Sequence, residues 1–98
     1  MRRVCWTPSA GSDLVELAHW IGVVNHRPLA ADRFVDRIRM TCDRYAAAPE
    51  LGELRNDLGE EIRLFPVGDY IVVYRPVSMG IEVIRVIHGS RDYPALFH

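Results

Sequence analysis

Ile62-Arg63-Leu64-Phe65, Tyr70-Ile71-Val72-Val73-Tyr74-Arg75 and Ile81-Glu82-Val83-Ile84-Arg85-Val86-Ile87-His88 are three runs dominated by β-branched and aromatic residues. The breaks between them, Pro66-Val67-Gly68-Asp69 and Pro76-Val77-Ser78-Met79-Gly80, are short and rich in Pro and Gly, so three consecutive antiparallel strands are predicted. Upstream the period changes. Arg3 to Thr7 is a short β-prone run closed by Pro8, and it reads as a first strand. Thr7 suits a helix cap and Pro8 a first helical position. Leu14, Leu17, Ala18, Ile21 and Val24 then recur at helical spacing, which predicts a helix over about 8–24 with Asn25 as its stop. After Asn25-His26-Arg27, Pro28 opens a second helix whose stripe is Ala31, Phe34, Ile38, Thr41, Cys42 and Tyr45, ending near Ala48 before Pro49. The order is β-α-α-β-β-β, an α+β fold with a helical hairpin packed on one face of a mainly antiparallel sheet. Residues 49–60, with two Gly, a Pro and several carboxylates, read as a solvated connection, and Gly89 to His98 as a tail.

The 98 residues suffice for a single domain over 1–98. Hydrophobic residues make up 49% of them, enough to bury a core and to argue against disorder. Twelve basic groups against thirteen acidic ones give a formal charge of −1, which denies the chain the broad positive field of a non-specific nucleic-acid binder. All twelve basic residues are Arg, so no lysine can act as a base. The two cysteines, Cys5 and Cys42, form no CxxC pair, and no metal-ligand spacing, phosphate-binding loop or Gly-x-Ser-x-Gly occurs; no metal site and no cofactor are expected. The first residues lack the apolar stretch of a signal peptide, and no run approaches the ~20 apolar residues of a membrane span, so a cytoplasmic protein without a membrane partner is expected.

With helices on one face, the other face of the sheet is expected to be open. Strict alternation on the last strand would point Ile81, Val83, Arg85 and Ile87 one way and Glu82, Ile84, Val86 and His88 the other. Arg85 would then sit among aliphatic neighbours, where a guanidinium must be paired or must line a cleft. Arg63 and Arg75 have similar contexts. Salt bridges to Glu61, Asp69 or Glu82, and a cationic cleft on the open face, are the two readings. The ending His88-Gly89-Ser90-Arg91-Asp92-Tyr93 sets an imidazole, a hydroxyl, a guanidinium and a phenol within a few residues of a strand end. A His beside an Arg suits general acid–base chemistry next to a phosphate-stabilising cation, with Tyr93 as a further donor; the plainer reading is a strand terminator and a local Arg91–Asp92 pair. Leu96 and Phe97 beyond it are either a packed end or a partner-binding segment. His19 and His26 read as surface residues, Trp6 and Trp20 as core or groove residues.

Several of these stretches also resemble a known family. Trp6-Thr7-Pro8-Ser9-Ala10 with Asp13-Leu14, then Ala30-Ala31 with Arg33-Phe34 and Ile38, then Pro49-Glu50-Leu51-Gly52 with Arg55, are similar to the first half of RelE/ParE toxins of bacterial toxin–antitoxin pairs. Asp69 to Arg75 and Ile81 to Asp92 resemble the ParE-like branch more closely still; the Met79-Gly80 turn departs from the polar pair more usual there. The resemblance implies a toxin neutralised by a cognate ParD-like antitoxin that inhibits growth by poisoning DNA gyrase, with no catalytic residues of its own. In that case Arg85, His88, Arg91, Tyr93, Leu96 and Phe97 are the candidates for contacting the target, and Trp20, Leu96 and Phe97 for contacting the antitoxin. The RelE-like branch implies the alternative, a ribosome-dependent mRNA endoribonuclease in which Arg63, Arg85, His88, Arg91 and Tyr93 would carry catalysis. A degenerate toxin that only binds its antitoxin is a third reading. Near-zero charge and the missing lysines favour the gyrase reading, because docking on ribosomal RNA gains affinity from many cationic contacts.

Overall fold

The computed structural model describes residues 2–97; His98, the last residue of the predicted tail, lies outside them. The chain runs through β1 (Arg3–Trp6), α1 (Pro8–His19), a π-helical turn (Trp20–Val24), α2 (Pro28–Ala47), a 3-10 turn (Pro49–Leu51), β2 (Glu53–Leu54), β3 (Arg63–Val67), β4 (Tyr70–Val77), β5 (Gly80–His88) and a final 3-10 turn (Tyr93–Phe97). The expected α+β architecture is present, with differences of detail. The predicted first helix changes at Trp20 into a wider π turn, and the predicted connection over 49–60 contributes a two-residue edge strand. The sheet has five strands in the order β1-β5-β4-β3-β2. Its pairs are antiparallel except β1 with β5, which run parallel.

Both helices cover one face of this sheet. Leu14 and Leu17 of α1 and Ile38, Cys42 and Ala46 of α2 pack on Phe65, Val72, Tyr74, Ile81, Val83 and Val86. An aromatic group fixes the layer: the rings of Tyr45 and Phe65 stack at 3.9 Å between centroids and are nearly parallel, and Tyr74 sits against both. The Tyr74 hydroxyl donates to the carbonyl of Pro49 at 2.5 Å and accepts the Gly52 N–H at 3.0 Å. That pair of bonds ties the connection to β4, and a Cβ at Gly52 would overlap the hydroxyl. A side chain there is incompatible with the bond.

The opposite face is not open. Leu58, Ile62, Leu64 and Val73 form a second, smaller cluster, with Ile71, Ile84, Tyr93 and Phe97 packed against it. The predicted solvated connection and the tail therefore fold over this face, because its aliphatic side chains would otherwise meet water.

Strict alternation on β5 also fails. Val73 pairs with Arg85 but Tyr74 pairs with Val83, so Ile84 is an extra residue, a β-bulge. The bulge shifts the phase: Val86 joins Ile81 and Val83 under the helices, while Ile84 belongs to the second cluster. Thr7 explains where the shift falls. Its N–H donates to Val83 at 3.0 Å, its hydroxyl donates to the carbonyl of Ile84 at 2.8 Å, and the same oxygen accepts the N–H of Ala10 at 3.1 Å as the cap of α1. One residue thus ends β1, starts α1 and grips the bulge.

Candidate functional site

Beyond Ile84 the edge of β5 has lost β1 as a neighbour, and α1 takes over its hydrogen bonding. Asp13, 9% exposed, accepts the backbone N–H of Val86 at 2.8 Å through Oδ2. The same carboxylate takes a fork from Arg85, Nε to Oδ2 at 2.7 Å and Nη2 to Oδ1 at 3.0 Å. Asp13 is the leading cause that holds the Arg85 guanidinium pKa above its ordinary value. The partner of Arg85 is therefore on the helix, not among Glu61, Asp69 and Glu82. Of those three, Glu82 pairs with Arg75 at 2.7 Å on the exposed surface. Arg63 donates from Nη1 to the carbonyls of Glu50 at 3.0 Å and Gly52 at 2.8 Å. That places it by β2, in the neighbourhood of Leu54, Asn56, Glu61 and Pro76.

His88 closes β5. Its ring meets Tyr70 edge-on at 5.1 Å, and its Nδ1 accepts the N–H of Ser90 at 3.1 Å with the Ser90 hydroxyl 2.7 Å away. A backbone donor aimed at Nδ1 leaves Nε2 to carry the proton of the neutral ring. A groove of about 280 Å³ adjoins the ring, lined by Asp13, Glu16, Trp20, Tyr70, His88 and Arg91 among others. Trp20, where α1 passes into the π turn, is 55% exposed there. Arg91 also borders a second depression with Ser9, Ser12 and Arg85. This end of the molecule offers hydrogen-bond donors from His88 and Arg91, a carboxylate from Glu16 and an aromatic wall.

Tyr93 lies elsewhere. Its hydroxyl accepts Nη1 of Arg55 at 3.2 Å, and the Arg55 guanidinium stands 5.7 Å from the centre of its ring. Arg55 in turn makes a two-point contact with Asp57, Nε to Oδ1 at 2.8 Å and Nη2 to Oδ2 at 2.7 Å. Phe97 packs beside Tyr93 on the second cluster, while Leu96 stays 39% exposed. The candidates thus fall into three places: Trp20, His88 and Arg91 with Arg85 nearby; Tyr93, Leu96 and Phe97 over the second face; and Arg63 at the β2 edge. Sequence reasoning did not single out Asp13, Tyr70 or Arg55 for these roles. Asp13 and Arg55 stand in the stretches that carry the family resemblance, the one signal that pointed at them.

Among the described residues no group of three His, Cys, Asp or Glu could hold a metal ion, and no helix is long and apolar enough to cross a membrane.

Residues 4–93 match the family described as the ParE toxin of the type II toxin–antitoxin system parDE. The chain belongs to the RelE/ParE toxin family. Toxin RelE2 of Caulobacter vibrioides is 31% identical to this family member over 91 residues, spanning 93% of this chain and 99% of the relative. Toxin RelE3 of the same organism is 29% identical over 90 residues, spanning 91% and 96%. A chain of the solved chromosomal ParDE TA system from P. aeruginosa shares the fold with a TM-score of 0.70 at 19% identity, over 90% of this chain and 96% of that one. The names of these toxins span the two branches that the sequence resembles, and family membership makes this chain the toxin of a toxin–antitoxin pair.

Proposed function

We propose that this toxin inhibits growth by binding and poisoning DNA gyrase in the cytoplasm, and that a ParD-like antitoxin neutralises it. The observation that carries this reading is the engagement of Arg85 with Asp13. A nuclease needs a cation aimed at the scissile phosphate as its charge develops. Here the fork of Arg85 is spent on a carboxylate at 2.7 and 3.0 Å and Arg63 on two backbone carbonyls, so of the three candidate arginines Arg91 alone stays in the groove with His88. Tyr93 keeps company with Arg55 rather than with His88. A binding role asks less of these groups: side chains offered at the surface are enough. Arg91, His88, Tyr93, Leu96 and Phe97 are the proposed target contacts, with Arg85 bordering Arg91. Trp20, Leu96 and Phe97 are the proposed antitoxin contacts: Trp20 and Leu96 are exposed apolar groups, which on a small domain suit a wrapping segment, and Phe97 is half-buried next to Leu96 in the chain.

The test adds purified toxin to gyrase with supercoiled plasmid and ATP, and in parallel to a translating ribosome system. Cleaved plasmid with intact mRNA is the expected result; cut mRNA with untouched plasmid makes the protein an endoribonuclease. Variants sharpen the choice. Arg91→Ala, or deletion of Pro94 to His98, should abolish inhibition, and His88→Gln should be mild. A folded His88→Gln protein that loses about a hundredfold or more in activity, as loss of a general acid or base would cause, while Arg91→Ala stays toxic, contradicts the binding mechanism.

A further inference from the structure

The C-terminal segment is attached in an unusual way. The N–H of Gly89 donates to the carbonyl of Asp69 at 2.8 Å, and past it the described backbone hydrogen bonds are local, from Arg91 to His88, Tyr93 to Arg91 and Ala95 to Asp92. What holds it to the sheet is side chains: Tyr93 and Phe97 on the second cluster, and Arg55 on Tyr93. Arg55 is itself well fixed. Its N–H donates to Ile62 at 2.7 Å and its carbonyl accepts Leu58 at 3.0 Å, so the main chain is held on both sides. The two-point contact with Asp57 then sets the plane of the guanidinium, leaving Nη1 directed at the Tyr93 hydroxyl and the face of the fork near the ring. Arg is suited to this and Lys is not, because only a planar fork can hold a carboxylate with two donors and still present a third.

We propose that Arg55 is a positioning residue for the C-terminal segment: with Asp57 it latches Tyr93, which holds Tyr93 to Phe97 across the sheet with Leu96 facing outward. The latch is preorganised in the 55–62 loop, so the segment gains a fixed geometry without regular hydrogen bonding to any strand. Its bearing on toxicity rests on the proposed role of this segment in the target contact. Two apolar anchors alone, Tyr93 and Phe97, would hold the segment loosely, because apolar contact lacks direction. The guanidinium supplies the direction.

The experiment is hydrogen exchange by mass spectrometry on the full chain, wild type against Arg55→Ala, Arg55→Lys and Tyr93→Phe, with gyrase inhibition and antitoxin binding measured on the same preparations. In Arg55→Ala, exchange across residues 93–97 should rise by about tenfold, the effect of losing one charge-assisted hydrogen bond. Exchange in β4 and β5 should stay as in the wild type. Tyr93→Phe keeps the ring and loses the hydroxyl, so it should show a smaller rise, and Arg55→Lys should fail to restore the wild-type value. Faster tail exchange together with lost inhibition supports both the latch and the target role of the segment. Faster tail exchange with undiminished inhibition supports the latch and removes the segment from the target contact. Unchanged tail exchange in Arg55→Ala, or full protection in Arg55→Lys, overturns the latch. If Arg55→Ala does not fold, Tyr93→Phe decides: tail exchange equal to wild type overturns the proposal.

Discussion

The two faces of the sheet are closed by different means. On one, two helices lay down Leu14, Leu17, Ile38 and Cys42 against β3, β4 and β5, and the stacked Tyr45, Phe65 and Tyr74 rings fill the layer. On the other, an irregular loop brings Leu58 and Ile62, and a short terminal turn Tyr93 and Phe97, over Leu64 and Val73, with Arg55 holding Tyr93. The first face is built from elements whose backbones satisfy themselves, so its side chains need only pack. The second depends on a few side chains to keep its cover in place, which puts it at the low-stability end of the molecule. Tyr93, Leu96 and Phe97 ride on that cover, so the residues proposed for binding sit where motion costs least.

The comparison breaks most visibly on the aromatic layer. Phe65→Ala removes a fully buried ring and should cost about 3–5 kcal/mol, read as a shift in urea midpoint at constant slope. Leu58→Ala in the second cluster should cost about 2 kcal/mol, at the low end for such truncations, because a cover of irregular backbone can settle into the space. Equal losses at the two positions would mean that the faces are equally rigid.

Asp13 joins the faces at the free edge of β5, and its loss comes next in size. Asp13→Ala strands both the Val86 N–H and the Arg85 fork and should cost about 2–3 kcal/mol. Asp13→Asn keeps one acceptor and should cost less. A double-mutant cycle with Arg85→Ala measures the pair directly, and a coupling near zero would deny that the fork adds to stability beyond the Val86 bond.

The strands, the capped helix and the α2 stripe were legible because each follows a period or a local rule. Thr7 and Pro8 mark the start of α1, and Ala31, Ile38, Thr41 and Cys42 are buried as their spacing requires. The bulge was not legible. Ile84 sits in a run of β-branched residues, and inserting one more leaves no trace in composition, yet it reverses which neighbours face the helices. The 49–60 segment misled for a related reason: its carboxylates are exposed as read, but Gly52 and Leu58 between them are buried. The ion pairs of Arg55 and Arg85 were illegible in part. Arg85 was singled out and Arg55 stood only in the family-like stretch, while Asp13 lies far along the chain from Arg85, and no periodicity links them.

A dependence on pH belongs to the helix-covered face. Burial, with Asp43 adding to it, pushes the Cys42 thiol up to about 12 from an ordinary value of 9.0. Above that ordinary value the unfolded chain releases a proton that the folded chain keeps, so stability should fall as pH rises from 9 toward 12, by about 1.4 kcal/mol per pH unit at most. Tyr70 and Tyr74 are also raised by burial and add a loss of the same sign at higher pH. Urea melts of wild type and Cys42→Ala compared across this range should show a shallower decline in the variant just above pH 9. Parallel declines would place the alkaline sensitivity elsewhere.

The claim on which the account turns is that this toxin acts by binding a DNA-handling target and not by cutting RNA. Primer extension on cellular mRNA shortly after induction, with plasmid topology followed in the same cells, tests it most directly. The account predicts uncut mRNA together with gyrase-dependent strand breaks. Codon-phased cuts within minutes, with plasmid topology unchanged, would contradict it.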